Sequence, residues 1–132
     1  MKKNGLLNSQ LSKVVDDLGH TDLIAIGDLG LPVPKDIKKI DLALKIGSPS
    51  FKEVLEEYLT HVLVEKVYLA EEIKSQNPQQ LETIKELLGD TISIEFMTHE
   101  TLKEKTKEVK AVVRTGEDTA YSNIILQSGV II

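Results

Sequence analysis

The fold is decided by the stretch Gly19-His20-Thr21-Asp22-Leu23-Ile24-Ala25-Ile26-Gly27-Asp28-Leu29-Gly30-Leu31-Pro32. Its centre, Leu23–Ile26, is a short apolar run of the length expected for one buried strand. A Gly-His pair stands before this run, and Asp28 follows it among glycines. Side chains that can bind a ligand or transfer a proton therefore stand at both ends of a buried strand. This arrangement predicts a functional site whose residues are held in place by a rigid element.

Further apolar segments along the chain have the length and pattern of strands. They are Lys39–Leu44, Val64–Ala70, Ile92–Phe96, Ala111–Arg114 and Ile124–Leu126. Helical segments mostly alternate with them, which predicts a single α/β domain, residues 1–132, with a layered, mostly parallel sheet flanked by helices. The apolar segment Gly129–Ile132 is expected to add a strand or to pack against a partner.

Two amphipathic helices are predicted in the first half of the chain. Asn8 or Ser9 can cap the first, whose apolar residues repeat at i, i+3, i+4 and i+7 and which ends at Gly19. Ser48-Pro49 has the order of a cap followed by a first-turn proline, so it predicts the start of the second. The apolar stripe of this helix extends to Leu63.

The second half of the chain contains one more clear helix start. Asn77-Pro78 again places a cap before a proline, and Gln80 can close a capping box onto Asn77. The segment Glu100–Val109 is highly charged and has few apolar residues. It therefore predicts a short exposed helix at best.

Composition restricts the classes of function. The 132 residues include 16 basic and 21 acidic side chains, and the net charge of -5 argues against nucleic acid or an anionic membrane as a partner. No apolar run approaches the ~20 residues of a membrane span. The chain has no cysteine, which excludes disulfides and thiolate ligands and fits a reducing compartment. We expect a soluble, cytoplasmic protein.

His20 and Asp28 are the leading candidate pair for chemistry. An imidazole can exchange a proton near neutral pH, and a carboxylate can orient it or hold a substrate hydroxyl. The alternative is a loop histidine beside a turn-forming aspartate, because a separation of eight residues matches no fixed motif. His20 precedes its strand, so it reaches a site at the far end only if its loop folds back or a second subunit supplies it.

Two other polar groups follow predicted strands. His99 comes after Ile92–Phe96, and the loop Thr115–Asn123 comes after another strand. Because ligands bind beyond the carboxyl ends of parallel strands, Asp28, His99 and this loop are expected to share one edge. His99 can have a function, as an acid, a base or a sugar ligand. The alternative is that it is simply an early residue of a short helix. Tyr121 and Asn123 either bind a carbohydrate or form a turn.

Motifs for cofactors and metals are missing from the sequence. There is no Walker loop, no Gly-x-Gly-x-x-Gly fingerprint and no nucleophile elbow, and the three histidines lack the H-x-x-x-H spacing of a metal site. We therefore expect neither a cofactor nor a metal ion. The residues alone indicate a small polar-ligand site that contains histidine.

Three segments together resemble the D-ribose pyranase and fucose mutarotase family. They are Gly19-His20-Thr21-Asp22 with Ile26–Pro32, Ala70-Glu71-Glu72-Ile73-Lys74, and Arg114-Thr115-Gly116-Glu117 with Tyr121-Ser122-Asn123. Their order and spacing hold over essentially the whole chain. Gly30-Leu31-Pro32 resembles the ribose branch more than the fucose branch.

The resemblance implies an isomerase of ribose catabolism that interconverts the pyranose and furanose forms of D-ribose without a cofactor. By position, His20 would be the proton donor, and Asp28, His99, Tyr121 and Asn123 would contact the sugar. The family forms homo-oligomers, typically pentameric rings paired into decamers, with sites at subunit boundaries. The rival interpretations are a non-catalytic sugar-binding or transport-accessory module and a mutarotase that acts on fucose.

Three residues depart from the family pattern. Gly27 and Leu29 stand where alanine is more frequent, and Ala120 stands where proline is frequent. Proline restricts the backbone, so Ala120 is expected to loosen the loop that carries Tyr121. The largest effect expected from these departures is weaker sugar binding.

Overall fold

One mixed sheet of six strands organises the computed structural model, which describes residues 1–132. The strands are β1 (Leu23–Gly27), β2 (Lys38–Asp41), β3 (Val64–Ala70), β4 (Ser93–Met97), β5 (Ala111–Arg114) and β6 (Ile124–Ser128). Their spatial order is β2-β5-β1-β6-β3-β4, and β6 alone runs against the other strands. The predicted α/β architecture with a mostly parallel sheet is confirmed.

Helices cover the two faces of the sheet unequally. They are α1 (Ser9–Asp16), α2 (Phe51–His61), α3 (Ile73–Gln76), α4 (Pro78–Leu88) and α5 (His99–Lys105), which continues into a 3-10 turn at Thr106–Glu108. The first four pack with one face of the sheet in an 18-residue apolar core, and α5 lies on the other face over a nine-residue core. No helix combines the length and the apolar character that crossing a membrane requires.

β1 is the central element that the sequence predicted, and every one of its residues is buried. Successive side chains of a strand point to opposite faces of the sheet. Ile24 and Ile26 accordingly enter the larger core, and Leu23 and Ala25 enter the smaller one. Because both faces of the strand are covered, its whole length is apolar, and polar groups occur only beyond its ends.

The predicted starts of α1 and α4 are confirmed. The Asn8 side chain accepts a hydrogen bond from Leu11 N at 2.9 Å, and the Asn77 side chain accepts one from Gln80 N at 3.3 Å. The predicted capping box is wrong, because Asn77 N donates to Ile73 O at 3.0 Å and not to the Gln80 side chain, whose amide donates to Ser122 Oγ at 3.0 Å.

The predicted start of α2 is two residues early. The helix begins at Phe51, and its cap is Ser50, whose Oγ accepts from Glu53 N at 3.1 Å. Ser48 instead closes a turn through its N–H, which donates to Lys45 O at 3.0 Å. Leu63 lies beyond the end of the helix and is 53% exposed.

One more strand boundary needs correction. The strand predicted to extend to Leu44 ends at Asp41, because the Asp41 carboxylate accepts from Ala43 N at 3.1 Å and turns the chain. Of the two alternatives for the segment Gly129–Ile132, it adds no strand to the sheet, and with Ile131 89% exposed, packing against a partner stays the prediction. The charged segment does form a short helix, α5, which buries Leu102.

Candidate active site

A cavity of about 330 Å³ lies at the carboxyl edge of the sheet. It is lined by Asp28, Gly30, Leu31, His99, Ala120, Tyr121 and Asn123. The loops after β1, β4 and β5 meet here because these strands run in the same direction. The loop after β5 leads directly into β6, which starts at this edge because it runs the opposite way. The prediction that Asp28, His99 and the loop Thr115–Asn123 share one edge is confirmed.

Asp28 and Asn123 are fixed by reciprocal hydrogen bonds. Asp28 N donates to Asn123 Oδ1 at 2.9 Å, and Asn123 Nδ2 donates to Asp28 Oδ2 at 3.2 Å. Gly30 N donates to the other carboxylate oxygen at 3.0 Å. An ionised carboxylate has about four acceptor sites, so both oxygens retain capacity for the hydroxyls of a ligand.

The environment of Asp28 changes its titration. Burial raises the pKa of the carboxyl above its ordinary value, and the hydrogen bonds from the Gly30 amide and the Asn123 side chain oppose that rise. Desolvation disfavours the charged form of an acid, which accounts for the direction of the change. On acidification the carboxylate is therefore neutralised at a higher pH than an exposed aspartate would be.

His99 and Tyr121 form the aromatic part of the cavity. Their ring centroids are 5.2 Å apart and the ring planes meet at 81°, an edge-on arrangement that aromatic pairs favour. His99 N donates to the Glu72 carboxylate at 3.0 and 3.2 Å, which anchors the first turn of α5. His99 Nδ1 is buried and makes no hydrogen bond, so a ligand can meet the ring only at Nε2.

The loop that carries Tyr121 is held by the start of α4. Tyr121 has a φ of +55°, a left-handed conformation that is uncommon outside glycine. Asn77 Nδ2 donates to Ala120 O at 2.8 Å, and Gln80 Nε2 donates to Ser122 Oγ at 3.0 Å. The sequence pattern assigned Asn77 and Gln80 to helix capping only, because their contacts with a loop some 40 residues away leave no local signal.

Gly27 gives the cavity space at the end of β1. A Cβ at this position would lie 2.5 Å from Leu31 Cδ2 and 2.9 Å from Asn123 Oδ1. The missing side chain therefore allows the Asn123 amide to reach the backbone of Asp28. This is a structural reason for one of the three departures from the family pattern.

His20 lies at the opposite edge of the sheet, before β1 begins. At ~3.3 Å per residue, the strand places it roughly 16 Å or more from Asp28. Its Nε2 lies 2.7 Å from Glu65 Oε1, and the side chain is 49% exposed. Within one chain His20 and Asp28 do not pair, because a straight buried strand separates them; supply of His20 by a second subunit stays a prediction.

None of the other larger concavities is lined by Asp28, His99, Tyr121 or Asn123, although one of about 350 Å³ near α1 is lined by His61 and Asp16. A larger concavity of about 520 Å³ lies between α1 and α2, and most of its lining is apolar, with no histidine. His61 is on α2, where it lies 2.8 Å from Glu57 on the same helix. No three His, Asp or Glu side chains are grouped so that they could hold a metal ion. The carboxyl-edge cavity is the best candidate site.

Known proteins resemble this chain over its whole length. The model of the RbsD / FucU transport protein family matches residues 1–131. The D-ribose pyranase of Streptococcus uberis is 63% identical over 132 residues, which is 100% of both chains. The D-ribose pyranase of Lactococcus lactis subsp. lactis is 66% identical over 130 residues, which is 98% of both chains.

Solved structures share its fold. The structure of Bacillus subtilis RbsD complexed with D-ribose has a TM-score of 0.96 and 48% identity and covers 100% of both chains. The fucose mutarotase of Streptococcus pneumoniae, in complex with L-fucose, has a TM-score of 0.82 and 24% identity over 96% of this chain and 95% of its own, a likeness of fold alone. The family match and the full-length identities together show that the chain belongs to the RbsD / FucU transport protein family.

Proposed function

We propose that this protein is a D-ribose pyranase, an isomerase that interconverts the pyranose and furanose ring forms of D-ribose. The observation that carries the proposal is the identity of 63% and 66% with D-ribose pyranases over essentially full length. The 48% identity with a protein that was solved with D-ribose bound supports the same substrate. The cavity at the carboxyl edge has the chemistry that such a substrate needs.

The reaction requires proton transfer and no change of oxidation state. Ring opening removes a proton from the anomeric hydroxyl and delivers one to the ring oxygen as its bond to the anomeric carbon breaks. The open-chain aldehyde then rotates and closes on a different hydroxyl. Because this exchange already occurs in water, a site that orients the hydroxyls and supplies one imidazole provides the acceleration required.

We assign the sugar-binding roles by the donor and acceptor capacity of each side chain. Asp28 and Asn123 accept from and donate to the sugar hydroxyls, since both remain hydrogen-bonding groups at the wall of the cavity. The ring of Tyr121 stacks on the apolar face of the sugar. His99 meets a hydroxyl through Nε2, the ring nitrogen that is not buried. His20 is the proton donor.

We infer that His20 reaches the cavity from a second copy of the chain. One chain holds the two parts of the site at opposite edges of its sheet. The edge near His20 also exposes apolar side chains, Leu63 at 53%, Val130 at 43% and Ile131 at 89%, which is typical of a surface that packs against a partner. The likeness to the family supports rings of five copies paired into a homodecamer.

We also propose a cytoplasmic location for this activity. A chain with no cysteine needs no oxidising compartment to complete its fold. A ribose isomerase would there act on free sugar before a later enzyme of ribose catabolism uses one ring form.

On acidification, the affinity for the sugar is expected to fall at a higher pH than it would in a site with an exposed aspartate. The Asp28 carboxylate accepts strong, charge-assisted hydrogen bonds from the sugar when it is ionised, and burial raises its pKa. Ribose binding should weaken as the pH falls from neutral towards the ordinary aspartate value of ~3.9. Isothermal titration calorimetry across this range measures the change. An Asp28→Asn variant should bind more weakly, with an affinity that lacks this acid-dependent loss; an equal loss in both proteins would contradict the assignment.

NMR saturation transfer between the ring forms of D-ribose tests the proposed function. The protein should accelerate pyranose–furanose exchange above the rate in buffer. If it accelerates the exchange of L-fucose anomers but not that of ribose, the substrate assignment is wrong. If ribose binds without any acceleration, the protein is a sugar-binding or transport-accessory module.

A further inference from the structure

A chain of hydrogen-bonded side chains leads to the His20 ring. Tyr68 OH donates to Gln127 Oε1 at 3.2 Å, and Gln127 Nε2 donates to Glu65 Oε2 at 3.0 Å. The other oxygen of Glu65 lies 2.7 Å from His20 Nε2. Tyr68 is buried, so the chain begins in the smaller core and ends at the surface. Each bond fixes the orientation of the next group.

The contact with Glu65 determines which nitrogen of His20 carries the proton. Hydrogen bonds from His20, and secondly from Gln127, hold the pKa of Glu65 below its ordinary value, so the carboxyl is ionised at neutral pH. An ionised carboxylate can only accept hydrogen bonds. The proton of the neutral ring is therefore on Nε2, and the free lone pair is on Nδ1.

We propose that Glu65 is a positioning residue for His20, a role that rests on the proposed function. Glu65 keeps the ring in the tautomer with Nε2–H and leaves Nδ1 free to meet the sugar. Nδ1 is then the atom that exchanges a proton with the sugar. When the ring is protonated it carries a proton on both nitrogens, and the Nδ1 proton goes to the ring oxygen as the bond from that oxygen to the anomeric carbon breaks. The anomeric hydroxyl releases its proton to water as the carbonyl forms, and the ring returns to the neutral Nε2–H tautomer.

Within the chain, Glu65 is the charged group that contacts the His20 ring. Asp22 is close in sequence, but its carboxylate accepts from Gly19 N at 2.8 Å. Lys66, next to Glu65 on β3, is paired with Glu95 of β4 at 2.8 Å. Removal of the Glu65 charge therefore changes the electrostatic environment of His20 without disturbing another ion pair.

The chain contains a matched control pair. On α2, His61 Nε2 lies 2.8 Å from Glu57 Oε1, the same atoms at nearly the same distance. This pair lines no part of the carboxyl-edge cavity. Glu57→Gln therefore removes an equivalent surface contact, and any general effect of the substitution on stability appears in both variants.

The experiment measures ribose exchange for Glu65→Gln, Glu57→Gln and the unaltered protein over a range of pH. Glu65→Gln is expected to lower kcat about tenfold, a part of the ~10²–10⁴-fold that a general acid contributes, with KM changed less than about twofold. Glu57→Gln should change neither kcat nor KM. An unchanged kcat in Glu65→Gln would overturn the proposal.

A spectroscopic measurement separates this inference from the proposed function. The three histidines can be labelled with ¹⁵N, and the His20→Ala variant assigns the His20 signal. In the unaltered protein at alkaline pH, His20 should carry its proton on Nε2; a proton on Nδ1 would refute the role of Glu65 even if the enzyme is active. If the protein fails to accelerate exchange but shows the Nε2–H tautomer, the proposed function fails and the contact with Glu65 stands.

Discussion

His20→Ala is expected to lower the protein-catalysed rate of ribose ring exchange by about 100-fold or more, the lower bound of what a general acid contributes. The alanine variant retains the cavity with Asp28 and Asn123, since neither contacts His20 in the same chain. It should therefore still bind ribose, and the loss should appear in kcat with little change in KM. Saturation transfer measures the rate, and calorimetry measures the binding.

A mixture of two defective variants tests whether the site is shared between copies. His20→Ala lacks the proton donor but has an intact cavity, and Asp28→Asn has the donor but binds sugar poorly. If each site combines His20 of one copy with the cavity of another, random co-assembly should restore about one quarter of the activity at low ribose. Activity no greater than the mean of the two separate variants would show that each chain completes its own site.

Gly116→Ala is expected to lower the free energy of unfolding by about 3 kcal/mol, the upper range for overpacking a well-packed interior. A Cβ at Gly116 would lie 2.6 Å from Lys45 O and 2.5 Å from Ser48 N, and closer still to Ser48 O. These are backbone atoms of a turn, so they cannot rotate away as a side chain would. The main chain of Gly116 is itself bound to this turn, since its N–H donates to Pro49 O at 2.8 Å.

Urea unfolding followed by circular dichroism measures this effect, and Gly129→Ala is its control. A Cβ at Gly129 would meet its nearest atoms at 3.6 to 3.7 Å, which is ordinary van der Waals contact. The control should stay within about 0.5 kcal/mol of the unaltered protein. A Gly116→Ala variant as stable as the control would show that the turn can move aside.

Local sequence patterns predicted most of the fold. The apolar run Leu23–Ile26 has one interpretation because a strand covered on both faces needs apolar side chains at every position. Asn8 and Asn77 mark helix starts because a side-chain oxygen before the first turn satisfies a free amide. The start of α2 was misplaced because Ser48 and Ser50 are both possible caps, and the choice depends on the turn that Ser48 makes with Lys45.

The site residues that directly follow a strand could be predicted from the sequence. The contact of His20 could not, because it depends on which strands are neighbours in the sheet. Asp28 and His99 each come directly after a strand, so the rule for parallel sheets brings them together. The contact of His20 with Glu65 joins residues 45 positions apart. To predict this contact, one must know that β1, β6 and β3 are neighbours in that order. The amphipathic pattern of a strand does not specify which strands lie beside it.

The antiparallel strand β6 has a consequence for when the sheet can form. It lies between β1 and β3, and it is the only strand that joins the half-sheet β2-β5-β1 to the half-sheet β3-β4. It is also the last of the six strands in the chain, so a ribosome makes it after all the strands that it connects. Until β6 is synthesised, the two half-sheets remain separate, and each has an edge strand with unpaired backbone groups. Pairing over such long sequence separations is slow. Completion of this fold is therefore a late event in the synthesis of the chain, and the unjoined halves are the stage at which the protein most needs protection from aggregation.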